Sequence, residues 1–175
     1  AQLVRRKFIP KANGGQRPLG IPAPEDKIVQ NLARRILEIL FEPLFSDCSH
    51  AYRPGRSART CTEQLQGELR NRYAWVVEAD IKSFFDTLDH ERLIEMIRKR
   101  VDNEAFIRLI RKWLKAGILT PQGLVERPEQ GTPQGGLISP VLANIYLHYT
   151  LDKWFETKVK NTCKGEAFMV RYADD

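Results

Sequence analysis

The chain ends in FMVRYADD, a run of apolar and β-prone residues that stops on two adjacent aspartates, Asp174 and Asp175. Val170, Phe168 and Tyr172 suit a strand. A second segment, AWVVEAD (residues 74–80), has the same form and ends on Asp80. Each acid taken alone reads as a turn or capping residue. Taken together they constrain the fold, because two such strands side by side in one sheet bring their terminal carboxylates together. Two unit charges about 4 Å apart, at an effective dielectric near 20, repel by roughly 4 kcal/mol. That is comparable with much of a small domain's stability. Protonation relieves such a cluster. Divalent cations do so too, since carboxylate oxygens are hard ligands and Mg²⁺ takes a few of them together with substrate phosphates. Two Mg²⁺ ions about 3.5–4 Å apart stabilise both the attacking and the leaving oxygen of an in-line phosphoryl transfer. No histidine lies near these acids in sequence, which argues against a zinc hydrolase.

The remaining composition sets outer bounds. With 175 residues, 42% of them hydrophobic, the chain can bury the core of one domain or one and a half. The net charge is +6. Residues 1–20 hold Arg5, Arg6, Lys7, Lys11 and Arg17 and no acid, which fits either a solvated arm or an anionic partner. Three cysteines, none in a C-x-x-C pair, do not make a disulfide framework, and Cys48, His50 and Cys61 have no common zinc spacing. No apolar run approaches about 18 residues, so no membrane span is expected. No signal peptide is read either, and the expectation is a reducing, cytoplasmic setting.

Local patterns predict an α+β chain. IPKANGGQRPLGIP (residues 9–22) reads as two extended pieces around a Gly-Gly turn. Ile28, Val29, Leu32, Ile36 and Leu40 recur at helical spacing behind Glu25 and Asp26, and Ala58, Cys61, Leu65 and Leu69 share one face of a second helix. Asp89 and Asn103 are the expected N-caps of two amphipathic helices, with Gly117 as the stop of the second. A small hairpin follows around Pro-Gln-Gly. Ser139 as N-cap and Pro140 at the first helical position then open a helix running to about Phe155. EAFMVRY is the last expected strand.

Several blocks, in order from about residue 8 to residue 175, resemble the group II intron-encoded reverse transcriptases, also called maturases. ADIKSFFD resembles their first palm motif and YADD their Tyr-x-Asp-Asp turn. GTPQGGLISPVLANIYLHYTLDKWF resembles the loop and helix between them. IPKANGGQRPLGIPAPEDKIVQ and AYRPGRSA resemble the fingers motifs of that branch. The resemblance implies a right-hand polymerase, with fingers over residues 1–73 and palm over residues 74–175. An antiparallel palm sheet would pack on helices, with helices inserted over 90–117 and a fingers–palm loop and helix over 131–155. It also implies a chain truncated at the catalytic turn, lacking the thumb and the returning palm strand, whose exposed edge a second copy or a companion chain would cover.

The resemblance assigns roles residue by residue. Asp80, Asp174 and Asp175 would hold two Mg²⁺ ions, with the Ile81 carbonyl as a further ligand. Lys11 and Arg17 would grip the incoming triphosphate, one as a point charge and one as a fork. Phe85 would lie beneath the sugar and exclude a 2′-OH. Gln134 and Gly135 would stand beside the nascent base pair and Tyr172 near the primer end, while Arg53 and Arg56 would touch template phosphates. The implied activity is RNA-directed DNA polymerisation from deoxynucleotide triphosphates on an RNA template and DNA primer, with intron RNA as a further partner in splicing. Other readings are a non-catalytic RNA-binding splicing cofactor, a CRISPR-associated or other retroelement-derived reverse transcriptase, and a two-metal nuclease.

Overall fold

The computed structural model spans residues 1–175 and describes all of them except 11–13, 71, 72, 74, 128, 133 and 134. Strands β1 (Val4–Pro10) and β2 (Gln16–Ile21) pair antiparallel from Arg5↔Ile21 to Pro10↔Gln16, as the Gly-Gly turn predicts. β1 also pairs parallel with β3 (Ile118–Leu119), which pairs antiparallel with β4 (Val125–Glu126). The described sheet is therefore mixed, in the order β2-β1-β3-β4. The β3–β4 turn closes through Thr120 and Leu124, with the Leu124 carbonyl accepting the Thr120 amide at 2.9 Å.

The described residues also form seven α-helices, α1 (Pro24–Phe41), α2 (Ala58–Leu69), α3 (Phe84–Thr87), α4 (His90–Arg98), α5 (Glu104–Leu114), α6 (Ser139–Leu147) and α7 (Lys160–Thr162), a 3₁₀ turn over Glu42–Leu44 and two wider helical turns over His148–Asp152 and Phe155–Val159. Asp89 and Asn103 cap α4 and α5 by accepting the amides of Arg92 and Phe106, as expected. α4, α5 and α6 bury Leu93, Ile97, Ile107, Ile110, Leu142 and Ile145 against Leu37 and Phe41 of α1. At about 25 cal/mol per Å² of apolar surface, this aliphatic centre is the main favourable contribution to folding. No helix among the described residues is long and apolar enough to cross a membrane.

Four expectations need correction. α1 forms, but it buries Gln30, Ala33, Leu37 and Phe41, while Ile28, Val29, Leu32, Ile36 and Leu40 face outward, Ile28 at 72% exposure. The helix is apolar on two sides, and only one meets the core. Gln30 fits the buried side because its side-chain oxygen accepts the Leu137 amide at 3.0 Å. α2 likewise buries none of its residues. Gly117 does not end α5, which stops at Leu114 with Lys115 as C-cap. Gly117 lies where Leu3 and Val125 close over the backbone. Ser139 is the first residue of α6 rather than its cap, and its hydroxyl is 2.7 Å from that of Thr132.

The largest difference concerns the palm sheet. Residues 75–80 and 166–170 carry no ladder, and the sole bridge of the second segment is parallel, Ser49↔Arg171. Trp75, Val76 and Val77 are all exposed, Trp75 at 90%. A strand needs a hydrogen-bonded neighbour and a covered face to be stable, and nothing described here supplies either to residues 75–80. The chain after α6 stays helical through Thr162 but widens twice. The Lys153 amide bonds the His148 carbonyl and the Lys160 amide that of Phe155, both i→i+5. Each wide turn holds one threonine, Thr150 or Thr157, whose hydroxyl bonds the carbonyl four residues back, a contact that competes with the helix ladder.

Candidate active site

The acids converge without a sheet. Tyr73 stacks on Phe168 with ring centroids 6.2 Å apart, which lays the two acid-bearing segments side by side. The Ile81 amide donates to the Asp174 carbonyl at 3.1 Å. Tyr172 and Asp175 exchange both backbone bonds, at 2.8 and 3.2 Å, so Ala173 and Asp174 form the tip of a two-residue hairpin turn. Ala173 adopts φ +62°, as such turns require at their first tip residue. The Ile81 bond seats Asp80, its chain neighbour, against the turn that carries Asp174 and Asp175.

That contact shows in the electrostatics. Partial desolvation raises the Asp175 carboxyl above its ordinary value, and the charges of Asp174 and Asp80, the bond to Asp80 and the charge of Glu78 raise it further. Carboxylates whose charges act on one another in this way favour a shared proton or a cation. Their oxygens are hard donors, and Mg²⁺ is held by one or two carboxylates plus water and phosphate rather than by a full protein cage. The residues thus fit a divalent cation, although no group of three His, Cys, Asp or Glu among the described residues is already gathered as one. The Ile81 carbonyl accepts the Phe84 amide at 3.3 Å, which leaves it one lone pair.

A cleft of about 750 Å³ is linked to the acids through Tyr52, which lines it and feels the charge of Asp174. It gathers Arg17 from β2, Phe85 from α3, Gly135 from the loop before α6, and Arg53 and Arg56 from the loop before α2. Phe85 is buried, and its carbonyl accepts the Thr132 amide at 2.7 Å. Gly131, at φ +84°, makes this docking possible, because a Cβ there would fall 2.6 Å from the Asp86 carbonyl oxygen. Gly135, at φ +112°, is likewise obligatory: its Cβ would lie 2.4 Å from the Gly20 carbonyl oxygen. Tyr172 is exposed beside the turn. Lys11 and Gln134 lie outside the described residues.

Arg53 sits differently from the expectation. It is buried, its guanidinium bonds the Glu42 carboxylate and the Ser46 and Ser49 carbonyls, and it lies 5.3 Å from the centre of the Phe45 ring. It ties the loop to the end of α1 and so has little left for a template phosphate. Arg56 is half-buried against Asp47.

Three features escaped sequence reading. Tyr52 lines the cleft together with Arg17. Burial and then the charge of Asp174 raise its hydroxyl, while Arg17 opposes them. Arg34 and Arg35 add cationic lining from the outward side of α1. Arg171 and Asp152 form a buried ion pair under the turn. Only the aromatic character of Tyr52, at the head of a basic loop, was a usable signal.

A sequence model of the reverse transcriptase (RNA-dependent DNA polymerase) family matches residues 9–175. The group II intron-encoded protein LtrA of Lactococcus lactis subsp. cremoris is 46% identical over 154 residues, covering 87% of this chain and 25% of LtrA. An uncharacterised 91 kDa protein in the cob intron of Schizosaccharomyces pombe is 45% identical over 152 residues, covering 87% of this chain and 18% of that protein. The chain thus spans a quarter or less of the length of these relatives. Among solved structures, telomerase from Candida albicans with a telomeric RNA fragment aligns over 99% of this chain and 37% of its own, with a TM-score of 0.66 at 13% identity, a likeness of fold alone. A chain of a Cas6-RT-Cas1–Cas2 complex aligns over 100% of this chain and 29% of its own, with a TM-score of 0.53 at 25% identity.

Proposed function

The chain belongs to the reverse transcriptase (RNA-dependent DNA polymerase) family, and from that premise we propose that it is the catalytic portion of a group II intron-encoded protein that extends a DNA primer on an RNA template. The observation that carries this reading is the backbone bond from the Ile81 amide to the Asp174 carbonyl, which brings Asp80 against the hairpin turn. A pair of Mg²⁺ ions bound there would activate the primer 3′-OH and stabilise the leaving pyrophosphate. Asp80, Asp174 and Asp175 would supply the negative charge that holds such ions. Arg17 lines the cleft, where a fork can neutralise the phosphates of an incoming nucleotide, with Lys11 as its assigned companion. Phe85, clamped by Thr132 and Gly131, gives the cleft a fixed aromatic wall against the sugar. Gly135 lets backbone approach the base pair, and Tyr172 flanks the primer end.

Replacing Asp174 with Ala in the intact protein tests the reading. Primer extension should fall by on the order of 10²–10³ or more, the size of losing one strong electrostatic contribution, while RNA binding persists. Extension at the normal rate would sink the assignment of the acids.

The relatives' intron origin favours a second role beside the first, the binding of intron RNA in support of splicing. Asp80→Ala separates the two, since a splicing role held by the basic surfaces survives the loss of an acid. Splicing that fails together with extension would tie both to the acid site.

A further inference from the structure

Arg171 is fully buried, at 2% exposure, and it is a cation. Burying a charge costs several kcal/mol unless it is paired and all its donors are met. Here they are met. Nε and Nη2 grip the two Asp152 oxygens at 2.8 Å each, in the bidentate arrangement open to arginine and not to lysine. Nη2 also donates to the Ser49 hydroxyl at 2.9 Å, and Nη1 reaches the Asn144 side-chain oxygen at 3.5 Å. The remaining bond goes from Nη1 to the Ala173 carbonyl at 2.7 Å.

That carbonyl belongs to the hairpin tip. Ala173 holds a left-handed conformation that L-residues rarely adopt. Its carbonyl is part of the peptide plane shared with Asp174, so its direction sets where Asp174 and Asp175 point. Meanwhile the Arg171 backbone is clipped to the loop beneath, donating to the Cys48 carbonyl at 2.7 Å and accepting from the His50 amide at 3.0 Å. A buried ion pair gives little net stability over well-packed apolar residues. Its use here lies in direction: Asp152 fixes the guanidinium, and the guanidinium fixes the turn.

We propose that Arg171, oriented by Asp152, is a positioning residue that aims the Asp174–Asp175 turn for metal binding. This rests on the acid site proposed above.

The test uses the intact protein as Arg171→Lys and Asp152→Asn, with Asp174→Ala alongside. Three quantities are read: thermal unfolding, the dissociation constant of Mn²⁺ in the presence of primer, RNA template and a non-reacting nucleotide, and the kcat and KM of extension. Arg171→Lys should bind Mn²⁺ about tenfold more weakly and lose about tenfold in kcat, with the nucleotide KM nearly unchanged. Asp152→Asn should move the same quantities less. A merely structural role would reduce the folded fraction and leave Mn²⁺ affinity and kcat per folded molecule alone. A folded Arg171→Lys with wild-type Mn²⁺ affinity and kcat overturns the proposal, and where that variant does not fold, a folded Asp152→Asn with wild-type values does so. If Asp174→Ala keeps both Mn²⁺ binding and extension, the acid site itself has failed and the positioning role falls with it. If Asp174→Ala loses both while Arg171→Lys keeps both, positioning alone has failed.

Discussion

Ala173 is the residue where backbone comfort and chemistry diverge. At φ +62° it sits where glycine or asparagine is the cheaper choice for a two-residue turn. The turn is nonetheless closed by two backbone bonds between Tyr172 and Asp175 and tied to the core by Arg171. Strain of this kind persists when the surroundings over-determine it, and it narrows the directions open to the next residue. Ala173→Gly should therefore raise stability by about 1 kcal/mol, read as a higher urea midpoint with an unchanged slope. It should also lower the rate of primer extension, because a glycine tip holds Asp174 less firmly. A variant both more stable and as fast would show that the strain has no part in the chemistry.

At the level of elements, some features were legible in the sequence and others were not, for separable reasons. The approach of Asp80 to the Asp174–Asp175 turn was legible in two apolar segments that each end on an acid, although the sheet expected to join them does not form. The caps Asp89 and Asn103 were legible because capping is settled within four residues. The buried side of α1 was not, because both its faces are apolar and the choice belongs to the neighbours. Arg53 could not be told from a surface arginine, since its partner Glu42 reaches it only once α1 and the following loop are folded. The wide turns after α6 were equally hidden, yet they set the phase of the site. Residues 144 and 152 would be about a fifth of a turn out of phase on a regular helix. The i→i+5 turn over His148–Asp152 takes up the surplus, so that Asn144 and Asp152 both face Arg171.

The same wide turn buries His148 with neither ring nitrogen hydrogen-bonded. Burial, then the charge of Lys153, holds this imidazole below its ordinary value, against the pull of Asp152 and Glu156, with Arg171 adding to the lowering. The unfolded chain therefore takes up a proton at higher pH than the folded one. As pH falls below about 6.5, the unfolded state gains protons first and stability declines. Above that value the histidine costs nothing of this kind. His148→Leu should flatten the fall, so that the gap in urea midpoint between variant and parent shifts in the variant's favour from pH 7.5 to pH 5.5. A gap independent of pH would place the acid sensitivity elsewhere.

Over the whole molecule, charge is sorted more tellingly than its net value of +6 suggests. Many arginines are already engaged: Arg171 with Asp152, Arg53 with Glu42, Arg98 with Glu104, Arg111 with Glu91 and Arg6 with Glu126. The cleft gathers Arg17, Arg34 and Arg35 on a wall that also carries Tyr52 and Phe85, with Glu38 as its acid, paired to Arg34. A groove rich in arginine with aromatic side chains on its wall suits a polyanion. Each phosphate neutralised on a single strand adds roughly 0.7 to the slope of log affinity against log salt concentration. Arg17→Ala and Arg35→Ala should thus each weaken RNA binding similarly for all sequences and flatten that slope by roughly 0.7. Arg6→Ala, which breaks an ion pair on the sheet between β1 and β4, should leave the slope unchanged. Titrations of a fluorescent RNA at several salt concentrations measure all three. Equal slopes for the parent and the two cleft variants would mean that the RNA runs over another face, and the basic outward side of β1 would then be the surface to examine.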